Sequence, residues 1–208
     1  MSLAGNDSFC LNARVIPVLS PLSVASGVAI SEVLFDAGLS VQEITLRTHS
    51  GLETIAALKR DRPDRIVGAG SVLTPELGEA ALRAGADFLV SPGMTEDLLK
   101  FALTCGVPFL PGVATLSEIM RVAQLGCAVA KLFPAESLGG LAFLRSIAGP
   151  LPAMKFCPTG GIDQRLASAY LKLDNVLAVG GSWMVPNELI LGGKLEAIHA
   201  LAEQAAAL

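Results

Sequence analysis

The stretch Ile66-Val67-Gly68-Ala69-Gly70-Ser71-Val72-Leu73-Thr74-Pro75-Glu76-Leu77-Gly78-Glu79-Ala80-Ala81-Leu82-Arg83-Ala84-Gly85-Ala86-Asp87-Phe88-Leu89-Val90 holds one full turn of a strand–helix–strand pattern. Ile66–Ala69 and Asp87–Val90 are short apolar runs, and Glu76–Ala84 between them is rich in Ala, Leu and Glu at helical spacing. Gly85 marks the end of the helix, where a left-handed residue costs least without a Cβ. A helix joining two short apolar strands implies that the strands run parallel, because a parallel pair needs a crossover.

The same unit recurs in both directions. Val15–Leu19 and Val41–Leu46 precede it, and Pro108–Leu110, Ala128–Phe133, Met154–Cys157 and Val176–Val179 follow, spaced about 20 to 26 residues apart. Helical segments such as Glu96–Thr104, Ser117–Leu125 and Leu189–Ala206 lie between or after them, and Gly38, Gly106 and Gly126 supply further stops. Eight such units close most economically into a parallel, eight-stranded (β/α)8 barrel, an α/β fold in which residues 1–208 form one domain. An open doubly wound sheet is the alternative. It calls for a phosphate-binding glycine turn after the first strand, where this chain has Ser20-Pro21-Leu22.

Composition narrows the function. Of the 208 residues 52% are hydrophobic and 16% charged, as suits central strands covered on both faces. A net charge of −4 with no basic run carries no footprint for nucleic acid. No apolar stretch reaches the roughly 18 residues of a membrane span, and Met1–Cys10 lacks a basic region followed by an apolar one, so a cytoplasmic protein is expected. Cys10, Cys105, Cys127 and Cys157 form no CxxC pair and have no companion His cluster, which argues against disulfides and a zinc site. No metal or other cofactor is expected.

In a (β/α)8 barrel the site gathers at the C-terminal strand ends. Lys131 lies in the apolar run Ala128-Val129-Ala130-Lys131-Leu132-Phe133, just before Pro134. Burial disfavours the ammonium form of a lysine and favours the free amine that attacks carbonyls. The plainer reading is a lysine snorkelling from an outer strand face. Lys155 serves as a control, placed nearer the opposite pole of its strand. On the second strand Glu43 alternates in phase with Thr45 and Arg47, so the three point the same way. Glu43 then either shuttles protons beside the lysine, with Arg47 taking a substrate carboxylate, or forms a structural ion pair with Arg47. Gly160-Gly161 and Gly180-Gly181, after the last two strands, expose backbone N–H groups where this architecture often binds phosphate, with the Ser182 hydroxyl beside them.

With these residues assembled, the chain resembles the family of 2-dehydro-3-deoxy-phosphogluconate (KDPG) and 4-hydroxy-2-oxoglutarate (KHG) aldolases, class I enzymes, over nearly its whole length. The strings that carry the resemblance are Glu43-Ile44-Thr45-Leu46-Arg47-Thr48, Gly68-Ala69-Gly70-Ser71-Val72-Leu73, Ser91-Pro92-Gly93, Lys131-Leu132-Phe133-Pro134-Ala135-Glu136, Phe156-Cys157-Pro158-Thr159-Gly160-Gly161-Ile162 and Gly180-Gly181-Ser182-Trp183. The resemblance implies a Schiff-base lysine at Lys131, a general acid/base at Glu43 and a homotrimer of barrels. It implies that Arg47, Ser71 and Thr159 surround the carboxylate and keto end of a small phosphorylated keto acid, with Pro92 and Phe133 as apolar walls. Gly160, Gly161 and Ser182 would then hold the distal phosphate. Ser71 stands where the family leads one to expect threonine. The implied reaction cleaves 2-dehydro-3-deoxy-6-phosphogluconate to pyruvate and glyceraldehyde 3-phosphate, and by extension 4-hydroxy-2-oxoglutarate to pyruvate and glyoxylate.

Two other readings remain at this stage. A related aldolase would prefer 4-hydroxy-2-oxoglutarate or a galactonate-derived phosphosugar. A catalytically silent ligand-binding barrel would have lost the lysine or the carboxylate, and both are present.

Overall fold

The computed structural model describes Cys10 and residues 13–208. The absence of an export signal read from Met1–Cys10 falls, Cys10 apart, outside these residues. The strands are β1 (Val15–Leu19), β2 (Val41–Thr45), β3 (Ile66–Gly70), β4 (Phe88–Val90), β5 (Phe109–Leu110), β6 (Gly112–Val113), β7 (Val129–Leu132), β8 (Lys155–Phe156) and β9 (Val179–Gly181). The helices are α1 (Val24–Asp36), α2 (Ser50–Asp61), α3 (Pro75–Arg83), α4 (Glu96–Ala102), α5 (Leu116–Gln124), α6 (Gly140–Ala148), α7 (Gln164–Tyr170), α8 (Asn187–Leu191) and α9 (Leu195–Ala206).

The expected parallel α/β alternation is present. A six-stranded parallel sheet has the order β5-β4-β3-β2-β1-β9, and a three-stranded parallel sheet the order β6-β7-β8. The single fifth strand expected over Pro108–Leu110 is thus replaced by two short ones on either side of Pro111, which has no N–H to give a ladder. The Pro111 carbonyl still accepts from the Lys131 N–H at 2.9 Å. At the other edge the contacts are single bridges, Phe156 with Val176 and Thr159 with Gly180.

Local sequence explains the helix limits. Ser23, Thr74, Thr95, Thr115 and Asp163 each accept a backbone N–H at a helix start. Gly38, Gly85 and Gly126 each follow a helix C-cap directly and take positive φ, between 80° and 94°, as their reading as helix stops requires. By contrast α4 ends earlier, at Ala102 with Leu103 as its cap, so Gly106 turns the chain beyond the helix rather than ending it. The long helix expected over Leu189–Ala206 is interrupted at Gly192-Gly193, where Gly193 has φ 60°, and becomes α8 and α9. Among the described residues no helix is long and apolar enough to cross a membrane.

Strand alternation creates two apolar layers. The larger lies between strands and helices and includes Leu19, Ile44, Leu89, Phe109, Ala130 and Phe156. The smaller lies on the opposite strand face and includes Ile16, Val41, Phe88, Leu110, Val129 and Cys157. Glu43, Lys131 and Thr159 each stand two residues beyond a member of this inner layer, hence on the same face and one step nearer the C-terminal strand ends.

A polar tie holds the opposite pole. Lys59 Nζ donates to both Asp87 carboxylate oxygens at 3.0 and 2.9 Å and to the carbonyls of Pro63 and Arg65. Asp87 Oδ2 also accepts from the Val67 N–H at 2.8 Å, so one carboxylate links α2, β3 and the start of β4. Asp87→Ala is expected to lower unfolding free energy by about 1.5–3 kcal/mol, read as a shift of the urea midpoint, because it strips partners from a half-buried cation and a strand N–H. The site residues lie at the other end, so their chemistry should survive this change.

Candidate active site

Glu43 on β2 and Lys131 on β7 meet across the inner face. The Lys131 ammonium lies 3.1 and 3.2 Å from the two Glu43 oxygens, and both residues are buried, at 5% and 4% exposure. A lysine snorkelling to an outer face is therefore excluded. The alternative pairing of Glu43 with Arg47 is also not adopted. Arg47 instead donates from Nε to Thr45 Oγ1 at 3.3 Å and from Nη2 to Ser20 Oγ at 2.8 Å, and those two hydroxyls lie 2.9 Å apart. Lys155, the control, points away and donates to the Asp174 carbonyl at 2.7 Å.

Glycine makes room for the carboxylate. Gly70 ends β3, and a Cβ there would overlap the Glu43 carboxyl group. Ser71, directly after it, has φ 59°, a left-handed conformation that a β-branched residue adopts at greater steric cost than serine.

Two apolar groups border the lysine. The Phe133 ring centroid is 5.6 Å from Lys131 Nζ. Gly112 pairs in register with Lys131, and a Cβ on it would run into the Pro92 carbonyl, so the Pro92 loop closes down on the strand beside the lysine. Thr159 is 6% exposed, and a Cβ on Gly180 would overlap its hydroxyl. Gly160 and Gly161 follow at φ 105° and 77°, conformations open to glycine at little cost.

Beside this centre is a cavity of 260 Å³ whose walls include Ser20, Arg47, Ser182 and Asn187. The structure thus brings Glu43, Lys131 and Phe133 together, and sets Arg47 and Ser182 on one cavity wall. Glu43, Lys131 and Thr159 are buried and Phe133 is partly buried, while Arg47, Gly161 and Ser182 are exposed. Ser20, at the end of β1, was not singled out as a site residue. Its position after a strand was the available signal. Tyr170, the only tyrosine, was also missed, and helical periodicity alone gives no sign that it is polar-bonded; its phenol donates to Glu136 Oε1. Burial, and then the Glu136 carboxylate, push the Tyr170 phenol up, so it remains a donor.

Among the described residues no group of three or more His, Cys, Asp or Glu side chains is placed to hold a metal ion. His49 is exposed, and His199 lies 3.6 Å from Glu203 on α9.

Residues 7–201 match the family described as aldolase, KDPG and KHG aldolase. The chain is 44% identical to a 2-dehydro-3-deoxy-phosphogluconate aldolase of Pseudomonas aeruginosa, covering 96% of this chain and 90% of that one. It is 40% identical to a KHG/KDPG aldolase of Escherichia coli, covering 96% and 93%. A crystal structure of a Legionella pneumophila KDPG aldolase, with pyruvate captured as a covalent carbinolamine intermediate, superposes with a TM-score of 0.95 at 37% identity over 98% of both chains. A Zymomonas mobilis 2-keto-3-deoxy-6-phosphogluconate aldolase structure with 3-phosphoglycerate gives 0.91 at 42% identity, over 99% of this chain and 97% of that one.

Proposed function

Because the chain belongs to the KDPG and KHG aldolase family, we propose that it cleaves 2-dehydro-3-deoxy-6-phosphogluconate to pyruvate and glyceraldehyde 3-phosphate through a Schiff base on Lys131. The observation that carries this reading is the buried contact between Lys131 and Glu43, which sets an amine and a proton-carrying group side by side. Glu43 takes a proton from Lys131, the free Nζ adds to the C2 ketone, and the carbinolamine loses water as Glu43 returns that proton to the departing hydroxyl, leaving a protonated imine. Glu43 then takes the C4 hydroxyl proton as C3–C4 breaks, and the electron pair of that bond flows into the imine to give an enamine. Glyceraldehyde 3-phosphate departs. Protonation at C3 and addition of water release pyruvate and restore the amine.

Arg47, Ser71 and Thr159 receive the carboxylate and keto end, Pro92 and Phe133 exclude water, and Gly160, Gly161 and Ser182 take the distal phosphate. The same lysine and carboxylate serve the unphosphorylated 4-hydroxy-2-oxoglutarate. The two-part sheet is read as one closed (β/α)8 barrel in a single domain spanning residues 1–208. Its support is the run of bonds through Pro111 and the bridges from β8 toward β9. A cytoplasmic location accords with this sugar-acid chemistry.

The test is borohydride reduction in the presence of pyruvate, followed by peptide mass spectrometry. An adduct of pyruvate mass on the Lys131 peptide is expected; its absence in folded protein would refute the covalent route. The Gly70→Ala variant examines the geometry more finely. Its methyl group displaces Glu43 from Lys131, and kcat for keto-acid cleavage should fall about 100-fold, since misplacements near 1 Å cost that much.

The working unit is a homotrimer in this reading. Leu73, Leu116 and Met120 are 57%, 46% and 53% exposed, an apolar content that suits contact with another copy. The Glu96–Arg121 pair, 3.0 Å between α4 and α5, ties this face together. Sedimentation should give three chains per particle, and Met120→Lys should shift the population toward monomer.

A further inference from the structure

The segment Glu136-Ser137-Leu138-Gly139-Gly140, which follows the lysine strand, has no part in the scheme above. It forms a single 3₁₀ turn and then two positive-φ glycines, 93° and 52°, the second of which opens α6. Its first residue touches the glycine loop in two ways, and the residue before it adds a third contact. The Glu136 N–H donates to the Gly160 carbonyl at 3.2 Å, and the preceding Ala135 N–H donates to the Thr159 carbonyl at 2.8 Å. The Glu136 Cβ lies against Gly161, where an added Cβ would come within 2.9 Å of it. The Glu136 carboxylate turns to the Tyr170 phenol, and Gly140 closes over both groups so tightly that any side chain there would strike them.

Tyr170 is fully buried at the end of α7, the helix that starts just after Gly160-Gly161-Ile162-Asp163. Side chains on a helix lean toward its N-terminus, so the ring reaches back toward the loop from which the helix springs. The loop between β8 and α7 is therefore gripped from one side by a backbone bond and from the other by a side chain anchored on its own helix. Left free, the Glu136 carboxylate would be a like charge near a bound phosphate, and the phenol donor holds it in place.

We propose that Glu136 and Tyr170 act as a latch that sets Gly160-Gly161 in its anion-accepting shape and so determines the preference for substrates bearing a distal phosphate. This rests on the assignment of Gly160 and Gly161 to the phosphate. Both are positioning residues, acting through the loop. Burial keeps the phenol protonated and the latch fastened.

The experiment follows the Gly160 and Gly161 amide signals by NMR while glycerol 3-phosphate is titrated into the full chain. Tyr170→Phe removes only the hydroxyl, and should weaken the glycerol 3-phosphate Kd about tenfold, the effect of losing one hydrogen bond to a charged group. In the condensation with pyruvate, the ratio of kcat/KM for glyceraldehyde 3-phosphate to that for glyoxylate should fall by a similar factor. A brace that merely stabilised the fold would leave that ratio unchanged. Glu136→Gln keeps an acceptor for the phenol and the N–H to Gly160, and should bind within about threefold of the wild type, whereas Glu136→Ala should match Tyr170→Phe. Wild-type affinity and ratio in folded Tyr170→Phe would overturn the latch. Glycerol 3-phosphate binding that depends on Tyr170 in a chain that never traps pyruvate would support the latch and sink the aldolase reading alone. Trapping of pyruvate with no response to glycerol 3-phosphate would overturn the latch and the phosphate assignment while leaving the lysine chemistry intact.

Discussion

Lys131→Ala is expected to give no borohydride adduct with pyruvate and to lower kcat/KM for keto-acid cleavage by on the order of 10⁴-fold or more. The amine is the covalent electron sink, and its side chain is held between Glu43 and the Phe133 ring. Arginine cannot replace it, because a guanidinium does not lose its proton to become a nucleophile. Lys131→Arg should therefore be as inactive as the alanine variant while filling more of the site. The measurement is intact-mass analysis after reduction alongside steady-state turnover. Turnover persisting in Lys131→Ala would mean that the carbon–carbon bond is broken without an imine on this residue.

Glu43→Gln is expected to lower kcat about 10²–10⁴-fold, the range for loss of a positioned acid/base. Glutamine keeps an oxygen toward Lys131, so the buried amine retains a partner and the fold should survive. Pyruvate should still be trapped on Lys131, more slowly, because dehydration of the carbinolamine also draws on Glu43. The sharper readout is exchange of the pyruvate methyl protons with deuterated solvent, which reports passage between imine and enamine. Exchange at the wild-type rate in Glu43→Gln would show that another group moves that proton. Glu43→Ala should in addition cost about 3–5 kcal/mol of stability if Lys131 stays charged, as expected when one member of a buried pair is removed.

Much of this was legible in the chain because strand residues alternate and helices end on glycine. Gly38, Gly85 and Gly126 marked helix ends that the structure confirms by their positive φ directly after the caps, while Gly106 lies beyond an α4 that stops at Ala102. Lys131 stood out because a charge inside Ala128–Phe133 conflicts with its neighbours, and such conflicts collect at working sites. Its partner was less legible. Strand alternation carried on to residue 47 would put Glu43 and Arg47 on one face, so periodicity alone could not choose between Arg47 and Lys131 as the group facing Glu43. In the structure β2 ends at Thr45 and Arg47 lies in the turn beyond it. The strand order decides it, because neighbouring hydroxyls at Ser20 and Thr45 draw Arg47 away. The break at Pro111 and the division of the last helix at Gly192-Gly193 depend on hydrogen-bond geometry, to which a hydrophobic pattern is blind. Tyr170 could not have been found from spacing at all, since a buried tyrosine on a helix reads as core until its phenol partner is known.

Glu43 and Lys131 are 88 residues apart in the chain and lie in different sheets, one in the six-stranded set and the other in the three-stranded set. Their contact cannot form by local collapse. It needs closure of a long loop of chain, a step that comes late wherever distant pairings dominate. During refolding, helix signals should therefore return before the capacity to trap pyruvate does. The covalent label would then act as a clock for the moment when the two halves of the sheet meet.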